Sequence, residues 1–110
     1  MTGAGISTHV LDTTRGAPAA GIAVTLFRRE DRELVEAGSG TTGEDGRVAN
    51  LLAAELTAGW YQIVFDLAPY YGSQQHFFSR VTLDVAISEA RHHHIPLLIS
   101  PYSCSTYRGS

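Results

Sequence analysis

Cysteine is nearly absent: Cys104 stands alone among 110 residues, so no internal disulfide forms and no thiolate cluster holds a metal. A reducing compartment is compatible with that composition. Charge is sparse as well. Eight basic and eleven acidic residues leave a formal −3, and neither sign forms a run. Nucleic-acid and anionic-membrane binders carry a concentrated basic footprint, which this chain lacks. Residues 1–8 hold neither an apolar run nor a basic cluster, so the sequence predicts no signal peptide and no membrane span. The expected location is the cytoplasm and the expected partner a small molecule. No internal repeat or low-complexity segment is present. The length fits one domain around one core, with residues 1–5 as a flexible lead-in and 6–110 as the domain. Eleven glycines and five tyrosines against one methionine suit an all-β domain with tight turns.

Apolar and β-branched runs mark the strands. Ile6 to Asp12, with His9 beside Leu11 and opposite Val10, reads as the first, and Thr13 to Gly21 as a loop. A second strand from Ile22 to Phe27 runs into a charged tip over Arg28 to Arg32, read as a solvated hairpin end. Leu34 to Gly40 is a weaker strand. In Thr41 to Arg47 the Asp45-Gly46 pair centres a turn that delivers Arg47 to the next short strand. Leu51 to Ala58 reads as a helical turn or loop. From Gly59 to Asp66 a strand puts Tyr61, Ile63 and Phe65 on one face. A short helix from Pro69 to Ser73 follows, with Asp66 as a cap and Tyr70 and Tyr71 as packing residues. Phe77 to Ile87 reads as a long strand and Ser88 to Ala90 as a turn. About eight strands at this spacing predict an antiparallel β-sandwich of two sheets with one short helix.

The final stretch, Arg91 to Ser110, reads as a hairpin turning at Ser100-Pro101. Alternation puts His92, His94, Pro96 and Leu98 on one face and His93, Ile95, Leu97 and Ile99 on the other, the second set being core. A hairpin face of imidazoles, hydroxyls and a phenol lines a wet, ligand-sized space more readily than a packed interior. His92 and His94 alone are too few ligands for zinc, and no Cys or carboxylate of suitable spacing completes the set, so no metal is expected. Ser110 lacks the elbow of a serine nucleophile.

Three segments together carry a family resemblance: Tyr107-Arg108-Gly109-Ser110, the run from His92 to Leu98, and His9-Val10-Leu11-Asp12-Thr13-Thr14-Arg15-Gly16. They resemble the transthyretin-like 5-hydroxyisourate hydrolases, from His9 to Ser110. The Tyr-Arg-Gly-Ser end is the family's most specific mark and separates the enzymes from transthyretin, the carrier on the same fold. The chain departs from the family pattern at His93 and Cys104, where Tyr is common, and at Phe77-Phe78-Ser79, often Phe-Tyr-Pro. None of these is in the catalytic set the resemblance implies.

That set is His9, Arg47, His94 and Ser110. Singly, each has a structural or solvated reading; their joint occurrence at the family's positions lifts them above it. The resemblance implies a transthyretin-like tetramer, dimers joined edge to edge and packed face to face around a channel. It also implies hydrolysis of 5-hydroxyisourate by water, without a cofactor. Such chemistry needs a base, a group for the oxyanion, and donors for a flat polar ring. Imidazole, with an unperturbed pKa of about 6.5, suits the first role and guanidinium the others. On this reading His94 positions or deprotonates water, His9 donates or shuttles a proton, and Arg47 orients the ring or His9 and stabilises negative charge. Ser110 offers a hydroxyl and a carboxylate, Tyr107 and Arg108 wall the pocket, and His92 is a neighbour in the substrate-binding set. A carrier without turnover, or a structural sandwich for protein interaction, remains open at this level.

Overall fold

The computed structural model describes residues 4–109. Two sheets face one another. The first has the order β2-β1-β8-β9, with β5 also pairing β1; the second has the order β4-β3-β6-β7. Their strands are β1 (Ile6–Asp12), β2 (Ala17–Pro18), β3 (Ala23–Glu30), β4 (Glu33–Thr41), β5 (Arg47–Val48), β6 (Gly59–Asp66), β7 (Arg80–Ile87), β8 (His93–Ser100) and β9 (Ser103–Thr106). One helix, α1 (Ala68–Tyr71), bridges the β6–β7 connection. All pairings are antiparallel except β1 with β8, which run parallel. That single pairing joins the beginning of the domain to its final hairpin.

The core lies where the period-two pattern of the two sheets meets. Ile6 and Val10 of β1 and Ile95, Leu97 and Ile99 of β8 face Val24 and Leu26 of β3 and Tyr61, Ile63 and Phe65 of β6, all buried. Burying a Phe or Ile side chain contributes roughly 1.5–3 kcal/mol, which makes this alternation decisive for register. On the inner face, Thr8 Oγ1 donates to Ile95 O at 2.6 Å. Buried Asp12 accepts from Tyr70 Oη at 2.7 Å and from the Thr14 and Arg15 amides at 3.0 and 3.1 Å.

Several boundaries differ from the sequence reading. The charged tip shrinks to Asp31-Arg32, with Asp31 at φ 57°, and β3 continues to Glu30. Arg28 is tied down there: it donates to Tyr61 Oη at 2.8 Å and Ala58 O at 2.9 Å, and its guanidinium lies 5.1 Å from the Tyr61 ring centroid. The expected loop contains the two-residue β2. The helix begins and ends earlier than predicted, and no side chain caps it, so Asp66 does not fill that role. Phe77 to Ser79 is not strand, because the Phe77 and Phe78 amides turn to Pro101 O and only Arg80 onward pairs with β6. Of the lead-in, residues 1–3 lie outside the described residues, whereas Gly5 is buried and its carbonyl accepts from His93 N at 2.9 Å. Gly5 therefore belongs to the fold.

Candidate active site

Arg47 owes its place to the turn before it. Gly46 N donates to Gly43 O at 2.8 Å, and Asp45 Oδ1 accepts the Arg47 amide at 3.0 Å, the local closure that Asp favours in turns. Gly46 O in turn accepts Val10 N at 2.8 Å, which docks the turn onto β1. β5 then pairs His9 with Arg47. Directly opposed residues in an antiparallel ladder share a face, so the guanidinium and the imidazole emerge on the same side of the sheet.

The parallel β1–β8 register supplies the rest. Ser7 is level with His94 and His9 with Pro96, all on the side away from the core. Ser7 Oγ lies 2.8 Å from His94 Nδ1 and 2.8 Å from His92 Nε2. His93 goes to the opposite face as expected, buried, with Nδ1 2.6 Å from Arg91 O. Arg47, His92, His94, Ser7 and Asp45 line an open cleft of about 360 Å³. Thr8, Val48 and Ala49 complete its walls, so polar and charged side chains share them with apolar surface. His9 stands beside it on the same face.

Burial first, and then the nearby charges of Arg47, His9 and His92, hold His94 below the ordinary imidazole value of 6.5. Both causes disfavour the imidazolium, so His94 is neutral at pH 7. The unfolded chain therefore binds this proton more tightly than the folded one. Its contribution to stability is present above pH 6.5 and lost as pH falls through the folded pKa. Replacing Arg47 by Gln removes a repelling cation, and the His94 midpoint should rise towards 6.5 without reaching it, because burial remains. Titration of the imidazole signals by NMR reads this; a midpoint unmoved in the variant would remove Arg47 from the electrostatics of the site.

The remaining predicted residues separate. Tyr107 and Arg108 border a different space, a cavity of about 300 Å³ shared with His93, Ile95, Thr106 and the Leu83–Ile87 edge of β7. They do not wall the cleft of His94, because past Thr106 the chain leaves β9 and rejoins β8 only at the Gly109–His94 bridge. Ser110 lies outside the described residues. Two positions take a place at the site that the sequence reading gave no role. Gly109, part of the terminal mark, is one: a Cβ there would meet His94 Cδ2 at 2.7 Å, so the glycine lets the chain pass against the ring. Ser7 is the other. Its only trace in the sequence is its place two residues before His9, on the same strand face. Among the described residues no three His, Cys, Asp or Glu side chains converge as metal donors.

The chain has close counterparts in sequence and fold. The 5-hydroxyisourate hydrolase of Mesorhizobium japonicum is 41% identical over 116 residues, covering 98% of this chain and 94% of that one. The solved structure of the Klebsiella pneumoniae 5-hydroxyisourate hydrolase superposes with a TM-score of 0.85 at 34% identity, covering 99% of this chain and all of that one. Sea bream transthyretin, solved with thyroxine, superposes with a TM-score of 0.86 at 25% identity over 94% of this chain and 93% of its own. The same two-sheet frame thus serves a hydrolase and a hormone-binding protein. With the family model matched over residues 6–109, from the first strand to the Gly109 bridge, the chain belongs to the HIUase/Transthyretin family.

Proposed function

We propose that the chain is an enzyme of urate degradation that hydrolyses 5-hydroxyisourate to 2-oxo-4-hydroxy-4-carboxy-5-ureidoimidazoline, acting in the cytoplasm as a homotetramer without metal or cofactor. The observation that carries this reading is the cleft itself. Two imidazoles and a guanidinium stand on one sheet face, grouped by the β1–β5 and β1–β8 registers. A carrier of apolar or aromatic ligands gains affinity from apolar walls. Here Val48 and Ala49 give the cleft apolar surface, but five groups able to donate, accept or carry charge, Arg47, Asp45, Ser7, His92 and His94, converge in it.

Hydrolysis proceeds by attack of water on a ring carbonyl carbon. As the new C–O bond forms, the carbonyl π pair moves onto oxygen and one imidazole takes the water proton. Arg47 and the second imidazole hold the oxyanion. Collapse expels the ring nitrogen, which takes that proton from the imidazole, and the ring opens to a carboxylic acid that releases its remaining proton to solvent as the carboxylate. Ser110 belongs to the same proposed set, as a hydroxyl and carboxylate at the substrate's edge. Tetramer assembly covers the outer face and restricts water there.

Freshly generated 5-hydroxyisourate should lose its absorbance faster with the protein than spontaneously, and exhaustive chelation should leave that rate unchanged. A rate equal to the spontaneous background would overturn the assignment. Loss of turnover in chelator, restored by zinc, would overturn the metal-free mechanism alone.

A further inference from the structure

Ser7 touches two imidazoles at once, and the backbone decides which way its proton points. His92 Nδ1 accepts the Gly5 amide at 3.2 Å. An amide N–H only donates, so Nδ1 holds a lone pair and the proton of neutral His92 sits on Nε2. That Nε2–H faces Ser7 Oγ at 2.8 Å and donates to it. The hydroxyl has one proton of its own, and the remaining partner is His94 Nδ1, also at 2.8 Å. Its second lone pair could receive another N–H, but among the described residues Ser7 Oγ has no other acceptor for its own proton. The arrangement that uses every proton therefore has Ser7 donating to an unprotonated His94 Nδ1. Neutral His94 then carries its proton on Nε2.

We propose that Ser7 and His92 are positioning residues that fix neutral His94 as the Nε2–H tautomer, so that His94 meets the substrate as a hydrogen-bond donor. Its natural target is the oxygen of the attacked carbonyl, beside Arg47. His9, the remaining imidazole of that face and the register partner of Arg47, takes the proton from water. This exchanges the roles that the sequence assigns to the two histidines. The groups that face His94 are consistent with a neutral donor. Arg47 comes from β5, His9 and Ser7 from β1, and His92 from just before its own strand. The carboxylate lining the same cleft, Asp45, accepts the Arg47 amide at 3.0 Å and is not among the charges that shift His94. Gly109 passes close to the ring edge, where a side chain would clash with it.

The substrate in this proposal rests on the hydrolase reading above; the tautomer does not. Histidine-labelled protein examined by long-range proton–nitrogen NMR at pH 8 reports each ring nitrogen directly. The wild-type chain should show His94 Nδ1 unprotonated and Nε2 protonated. Ser7→Ala should mix the two tautomers and lower kcat by roughly 10- to 100-fold, the size expected when a partner that orients a working histidine is removed. Ser7→Thr, which keeps the hydroxyl, should recover the tautomer and most of the rate. A wild-type His94 protonated on Nδ1 would overturn the proposal, even if no variant folds. A Ser7→Ala protein with unchanged tautomer and unchanged rate would do so too. Absence of any turnover by the wild type would instead defeat the hydrolase reading, leaving the tautomer to be judged by NMR alone.

Discussion

Arg47→Ala and His94→Ala should each lower turnover of 5-hydroxyisourate by about 10²-fold or more and barely move the melting temperature. The size follows from the roles: proton transfer and electrostatic stabilisation by a placed group each contribute on that order. Stability is spared because Arg47 is exposed and His94 only half-buried, and neither belongs to the apolar core. His94→Ala also leaves Ser7 and His92 bonded to one another, so no buried polar group is stranded. The matched control is His93→Tyr. His93 points to the other face, beside a cavity of about 300 Å³ that gives a larger ring room. Its rate should stay within a few-fold of wild type. Steady-state kinetics with thermal melts on the three variants decides the matter. If His93→Tyr were as damaging as His94→Ala, chemistry would lie on the inner face.

The contrast between adjacent histidines was legible in the sequence because strand alternation is a local rule. So was the inward set Tyr61, Ile63 and Phe65, and so was delivery of Arg47 by an Asp-Gly turn. Lateral neighbours are a different matter. Ser7 and His94 are separated by 87 residues and meet only because β1 and β8 pair in parallel, a register that nothing in either segment announces. Arg28 read as part of a solvated tip for the same reason: its stem continues β3, but its partners, Ala58 and Tyr61, come from the neighbouring strand and the segment before it. Phe77 to Ser79 carries strand-like residues, yet its amides bond the carbonyl of the β8–β9 turn rather than a ladder. Propensity names a segment's preferred shape; the partner that satisfies its backbone is chosen by the whole fold. The same limit explains Tyr107 and Arg108, whose sequence neighbourhood joins them to the site while their place beside β7 separates them from the cleft.

Gly46→Ala should damage stability and catalysis together. Gly46 sits at φ +77°, where a side chain costs about 1–2 kcal/mol. Its added Cβ would also clash with Val10 O. That carbonyl has no freedom to retreat, since it accepts Ala19 N at 2.9 Å, while Val10 N donates to Gly46 O at 2.8 Å. Either β1 shifts or the turn lifts away. Both movements separate His9 from Arg47, whose pairing follows directly on this contact. A total cost of a few kcal/mol corresponds to a fall in melting temperature of about 10 °C or more for a domain of this size. Loss of the Arg47 position should remove about 10²-fold in kcat, because small errors in placing a catalytic group have that effect. Gly16→Ala isolates the conformational part, since Gly16 has φ +65° but nothing within 4 Å of the added Cβ. It should melt a few degrees lower and keep full activity. Equal behaviour of the two variants would mean that the turn yields without moving β1, and that Arg47 reaches its place by some route other than the Gly46–Val10 contact.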